Sequence, residues 1–312
     1  MLYTHMRGIR FRPISVSPSW AVIRLFVCAL GLMCTKQLRA DDPPIATESR
    51  SADIEQRSDS EAERLVIGCD AGDVTVEVDP SLTCTNVQAV FRLVGRDAAE
   101  LAKRCATLRL YAARTADGLI LVEPILVDGM RPGERVDVTV RTFAAADTSI
   151  RARNGAMKAT GVAGKLRLRG ANGSVLLRGC TGVIDVQSEN GTIDVFEAMR
   201  DVHIASKHAP VSLRYADTAD AEFKIETTNG PVTVSVSAAY DGVATLRTTA
   251  GGIVLRDTGK RMRTPRLGET VAQVELGAGT AQSVVETSNG TVILEARLAP
   301  TPVAPTDSAS RP

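Results

Sequence analysis

The sequence has little of what enzymatic or metal chemistry needs. It holds three histidines, and only His203 and His208 lie beyond residue 40. There is no Gly-x-Ser-x-Gly elbow, no paired-His metal motif and no C-x-x-C pair. These absences speak against the usual hydrolase elbow, a zincin site, a thioredoxin-like redox site and a zinc ribbon. The Gly-Gly-x-Gly-x-Asp spacing of calcium-binding repeats is missing too. No catalytic residue, cofactor or metal site is therefore assigned.

Acids are missing from residues 1–40, which carry six Lys/Arg. The apolar run 25–35 (LFVCALGLMCT) is about half the roughly 20 residues a membrane span requires. A basic start, a short apolar core and Ala40 before Asp41-Asp42 predict a signal peptide over 1–40 and hence export to periplasm, cell surface or medium. An uncleaved anchor or a lipidated Cys34 would be the alternatives. Of 37 basic and 36 acidic residues in the whole chain, export leaves 31 basic and 36 acidic, a net charge of −5. A mildly acidic exported chain is not a nucleic-acid binder, and no membrane span is expected after cleavage. Four cysteines remain, Cys69, Cys84, Cys105 and Cys180. Their number permits two disulfides without choosing among three pairings.

Residues 41–62 are polar and poor in large apolar side chains, which predicts a disordered leader. Residues 299–312 are rich in Pro, Ala, Ser and Thr and are expected to form a disordered tail. Residues 63–145 are expected to form a β-rich N-terminal capping unit. Its strands would be 64–68, 74–78, 107–112, 119–123 and 136–140, with one helix over 96–105.

From residue 146 to 298 one template returns: two apolar residues in alternation, an Asn-Gly pair, then two more. Leu166 and Leu168 precede Asn172-Gly173, and Val175 and Leu177 follow. Equivalent corners stand at Asn154, Asn190, His208, Asn229, Ala250 and Asn289. Read from Asn154 to Ala250, the steps are 18, 18, 18, 21 and 21 residues, and a gap of 39 follows with one irregular turn expected around 271–276. Period-two alternation makes strands with one buried face, and Asn and Gly accept the positive φ of a sharp turn. A fixed period with superposed inward positions predicts an all-β fold, a single-stranded β-solenoid of about seven coils.

Residues 136–195 (VDVTVRTFAAADTSIRARNGAMKATGVAGKLRLRGANGSVLLRGCTGVIDVQSENGTIDV) and 276–294 (LGAGTAQSVVETSNGTVIL) resemble the putative adhesin domain of bacterial exported proteins. The likeness extends over roughly 64–297. It implies a β-solenoid and brings no catalytic residues with it. His208-Ala209, Ala250-Gly251 and the insertion 257–269 depart from the pattern.

Residues 151–178 carry Arg151, Arg153, Lys158, Lys165, Arg167, Arg169 and Arg178 without one acid. Such a patch suits an anionic glycan or envelope polymer. Against this, the 18-residue step sets Arg167 beside Asp185 and Lys158 two windings from Asp194, which would cancel the charge. A second basic cluster, Lys260, Arg261, Arg263 and Arg266, falls in an expected loop suited to a partner protein or polymer. The corner asparagines read as an amide ladder. Together these features predict a non-enzymatic, adhesin-like interaction module. The alternatives are a polysaccharide-active enzyme, which needs converging acids and bases, and a self-associating envelope protein, which needs an uncapped terminal winding.

Overall fold

The computed structural model describes residues 44–56 and 62–298. The expected signal peptide and the Pro-rich tail lie outside these residues. In chain order the first elements are β1 (Ile45–Glu55), β2 (Glu63–Ala71), β3 (Val74–Val78), β4 (Cys84–Val94), α1 (Ala98–Thr107), β5 (Arg109–Arg114), β6 (Leu119–Ile125) and β7 (Arg135–Thr142). The regular repeat supplies β8 (Ala145–Asn154), β9 (Met157–Thr160), β10 (Leu166–Asn172), β11 (Val175–Arg178), β12 (Ile184–Asn190), β13 (Ile193–Ala198), β14 (Val202–His208), β15 (Val211–Tyr215), β16 (Phe223–Asn229) and β17 (Val232–Val236). Last come β18 (Gly242–Ala250), β19 (Ile253–Asp257), β20 (Met262–Leu267), β21 (Val271–Leu276), β22 (Ala281–Asn289) and β23 (Val292–Ala296).

The fold is all-β with a single helix among the described residues. The strands form two large mixed sheets, of eleven and twelve strands, and neither closes into a barrel. Each Asn-Gly corner carries the chain from the twelve-stranded sheet to the eleven-stranded one. Strands before the corners pair in parallel with each other, as do strands after them. Leu168, Val186, Ile204 and Ile225 are successive register partners, as are Leu177, Val195, Leu213 and Val234 on the facing sheet. All eight are essentially excluded from solvent. Each buried aliphatic side chain contributes roughly 1.5–3 kcal/mol, and stacking strand upon strand in the two sheets joins these contributions into one continuous core.

Several expectations are corrected by the pairing. Residues 45–55, expected in the disordered leader, form β1, which pairs with β4 along all eleven of its residues. Its polarity suits an edge strand: one side meets water, and Ala46 and Ile54 pack on the core. Backbone pairing with a preformed edge offsets an ordering cost that composition alone could not. Residues 63–78, expected in the capping unit, are laid into both sheets beside the repeat. Ala71 registers with Asn154 and Val74 with Met157. Their corner has no Asn, but Gly72 takes φ +129° there as Gly155 takes +145°.

The stacking order also departs from chain order. β22 lies between β16 and β18 in one sheet, and β23 between β17 and β19 in the other. The irregular turn of the repeat expected around 271–276 does hold a strand, β21, but it runs antiparallel to β18 instead of continuing the parallel stack, and β20 pairs antiparallel to β21. The helix starts two residues later than expected, because Asp97 caps it by accepting from the Glu100 backbone N–H at 2.8 Å.

Candidate anion-binding groove

The corners build a polar ladder before they build any site. Asn172 Nδ2 donates to Asn154 Oδ1 at 2.8 Å, Asn190 Nδ2 to Asn172 Oδ1 at 2.8 Å, and Asn289 Nδ2 to Asn229 Oδ1 at 2.7 Å. Asn229 Nδ2 meets His208 Nδ1 at 2.8 Å, so this histidine extends the ladder in place of an amide. These side chains satisfy one another and leave little for a ligand.

The seven basic residues of 151–178 do not form one patch. Alternation sends Arg151, Arg153, Arg167 and Arg169 to the outer face of the twelve-stranded sheet and Lys158 and Arg178 to that of the other. Lys165 lies exposed just before β10. On the eleven-stranded sheet, Leu176 separates Lys158 from Asp194 in register, and the Arg178 guanidinium lies 5.4 Å from the Phe196 ring centroid. The second cluster, Lys260, Arg261, Arg263 and Arg266, lies at the opposite end of the stack. β20 stands eight strand spacings from β8, or about 40 Å at about 4.8 Å each. It is only in part the expected loop: Lys260 and Arg261 lie in the turn between β19 and β20, whereas Arg263 and Arg266 sit on β20, opposite Glu275 and Gln273. Arg261 is spent on structure, donating to the carbonyls of Ser237 at 3.2 Å and Tyr240 at 2.8 Å.

What the fold does bring together is four arginines in a zigzag. Arg151 and Arg169 are direct register partners on neighbouring strands. Arg167 and Arg153 stand two residues away along their own strands, on the same outer face. The expected cancelling ladder is not made. Arg167 is the register partner of Asp185, yet among the described residues neither Arg151 nor Arg167 forms an ion pair. Arg169 donates to Gln187 Oε1, a neutral partner. Arg153 has only Asp70 at 3.9 Å, with both side chains largely in water, a pair worth about 0–1 kcal/mol. Two guanidiniums one strand spacing apart repel.

Beside them the surface is notched. Arg151 registers with Gly68 on its other side, and nothing lies within 4 Å of where a side chain on Gly68 would begin. A groove of about 590 Å³ runs here. Gly68, Cys69, Asp70, Arg151, Arg153 and Arg169 line one side, and the end of β6 from Glu123 with the chain that follows it lines the other. Cys69 is buried at its base with Sγ 3.2 Å from the Val136 carbonyl oxygen, and burial pushes its thiol pKa up to about 11. The four cysteines are free thiols. No sequence motif announced the notch, because its wall comes from residues 124–130, remote in sequence from the arginines.

Asp185 and Asp194 lie on β12 and β13, in different sheets, and face away from each other.

No family model matches the chain, and no curated protein matches it. Solved structures do. A putative adhesin from Bacteroides fragilis is 12% identical over 81% of this chain and 98% of its own, with a TM-score of 0.43. A putative cell adhesion protein from Clostridium sporogenes is 11% identical over 81% and 100%, with a TM-score of 0.35. The chain is similar to putative adhesins. A putative lipid binding protein from Parabacteroides distasonis also matches, at 10% identity over 79% and 96% and a TM-score of 0.25. At these identities and scores the likeness assigns no role to the groove. Among the described residues no helix is long and apolar enough to cross a membrane.

Proposed function

We propose that the protein is an exported, non-enzymatic interaction module. Its windings, 63–78 and 145–296, form a β-solenoid. The outer face of its twelve-stranded sheet holds an anionic group of a surface or envelope polymer, as an adhesin would. The observation that carries this is the in-register pair Arg151 and Arg169, which has no acidic partner among the described residues beside an open groove. A protein gains nothing in stability by setting two like charges side by side. An anion received by both guanidiniums converts the repulsion into bidentate, charge-assisted hydrogen bonds. Arg167 and Arg153 extend the positive field along the strands, which suits a chain of charges.

Titration of the purified protein with dextran sulfate tests the reading. Binding at 50 mM salt that weakens at 200 mM is expected, and so is its loss in Arg151→Glu/Arg169→Glu with the far-UV spectrum unchanged. Equal binding by that variant would refute it. Reversal of Lys260 and Arg263, at the far end of the stack, should leave binding unchanged.

A second reading has an observation of its own. Three of the four sheet ends finish on antiparallel strands: β1, β5 and β20. The fourth, β19, pairs only with β23 among the described residues, and its inward Ile253 and Leu255 are partly exposed. A bare edge of this kind favours end-to-end self-association.

A further inference from the structure

The groove beside Arg151 has two unlike sides. One carries the guanidiniums. The other is the end of β6 and the chain leaving it: Glu123, Pro124, Ile125, Leu126, Gly129 and Met130. Past the Glu123 carboxylate this side is apolar at Ile125, Leu126 and Met130, and the backbone groups of Gly129 are already engaged. The Gly129 N–H donates to the Leu126 carbonyl at 3.0 Å, and the Gly129 carbonyl accepts from Arg104 Nη2 at 3.1 Å.

The wall is also held firmly. Arg104 Nη2 reaches Glu134 Oε2 at 2.8 Å, with both side chains nearly excluded from water. Glu134 in turn accepts from the backbone N–H of Arg131 at 2.8 Å and of Val94 at 3.2 Å. The volume of about 590 Å³ falls within the roughly 300–1,000 Å³ of small-ligand sites. Ile125 is 38% exposed where it faces water.

We infer that the groove selects an anion joined to an apolar body: a phosphate- or carboxylate-class head on Arg151 and Arg169, with an alkyl segment against Ile125, Leu126 and Met130. This rests on the anion-binding reading above and narrows its partner to amphiphilic molecules. The charge of the arginines fixes where the head goes. The Glu123 carboxylate repels a second anion on this side, and the side chains of Ile125, Leu126 and Met130 offer no donor or acceptor, so a purely polar body laid on them would lose its hydration for nothing. Gly68 is the gap through which the body enters. It needs no unusual backbone angle and faces open space, so a side chain placed on it fills the groove without straining the strand.

Calorimetric titration with n-octyl phosphate, inorganic phosphate and n-octyl glucoside at 50 mM salt tests this. Octyl phosphate should bind at least tenfold more tightly than phosphate, and octyl glucoside should not bind. Gly68→Phe should remove the tenfold advantage while dextran sulfate binding persists. Arg151→Ala/Arg169→Ala should remove binding of both phosphates. If phosphate and octyl phosphate bind equally, or Gly68→Phe keeps the advantage, the inference falls and the anion site stands. If octyl glucoside binds as well as octyl phosphate, the head is irrelevant and the inference falls. If neither the phosphates nor dextran sulfate bind, the anion-binding reading itself falls. Far-UV spectra and urea midpoints of each variant establish that it is folded.

Discussion

Replacing Gly173 by alanine should cost far more than a methyl group normally does. Gly173 has φ +141° at its corner, and an added Cβ would lie 2.0 Å from the carbonyl oxygen of Gly155 in the winding below. A left-handed backbone angle costs an L-residue about 1–2 kcal/mol. The overlap is with backbone, so it is relieved only by lifting one winding off the next. That stretches the bonds flanking the corner, the Gly155 N–H to Asn172 at 2.8 Å and the Met157 N–H to Ser174 at 2.8 Å. Each contributes about 0.5–1.5 kcal/mol net, so the total loss is about 2–5 kcal/mol. Gly252→Ala is the matched control, since nothing lies within 4 Å of its Cβ position. Removing backbone freedom from the unfolded chain should leave it within about 1 kcal/mol of the parent. Urea denaturation followed by circular dichroism gives both values. If Gly173→Ala loses no more than Gly252→Ala, the corners do not stack as described.

Other changes probe separate parts of the molecule. Leu168→Ala opens a hole in a fully buried register row and should lower stability by about 2–5 kcal/mol in the same assay. Glu134→Gln leaves Arg104 buried beside a neutral partner. It should cost up to about 3–5 kcal/mol and speed proteolysis between residues 125 and 135, and an unchanged urea midpoint would contradict the anchoring role. Cys69 keeps its proton in the folded chain up to about pH 11, whereas the ordinary thiol value is 9.0. The unfolded chain releases that proton first, so this contribution is complete below pH 9 and is lost as pH rises from 9 toward 11. Iodoacetamide at pH 8 should therefore spare Cys69 until urea unfolds the protein. Val254→Lys, on the bare edge at β19, should abolish any concentration-dependent dimer seen by analytical ultracentrifugation. Persistence of such a dimer would place the contact elsewhere.

The repeat was legible because its physics is local. Alternation names the buried face, and Asn-Gly names the corner. Rows such as Leu168, Val186 and Ile204 follow from an 18-residue step. The winding at 63–78 was harder to see, since Ala71-Gly72 carries the positive φ without the ladder amide. β1 was missed for a different reason. Its polar composition describes a strand that meets water on one side, and composition cannot distinguish an edge strand from a chain with nothing to pair with.

The sequence by itself determined the strand class, the corner chemistry and the two clusters of positive charge, because each depends on residues within a few positions of one another. Only the tertiary structure decided the rest. It divided six of the seven cations of 151–178 between two faces and consumed Arg261 in backbone contacts. It interposed β22 and β23 within the stack, and it brought Ile125, Leu126 and Met130 opposite Arg151 and Arg169. Those outcomes depend on which strand pairs with which across separations of tens of residues. That choice is made by burying the whole core at once, not by any one segment's pattern.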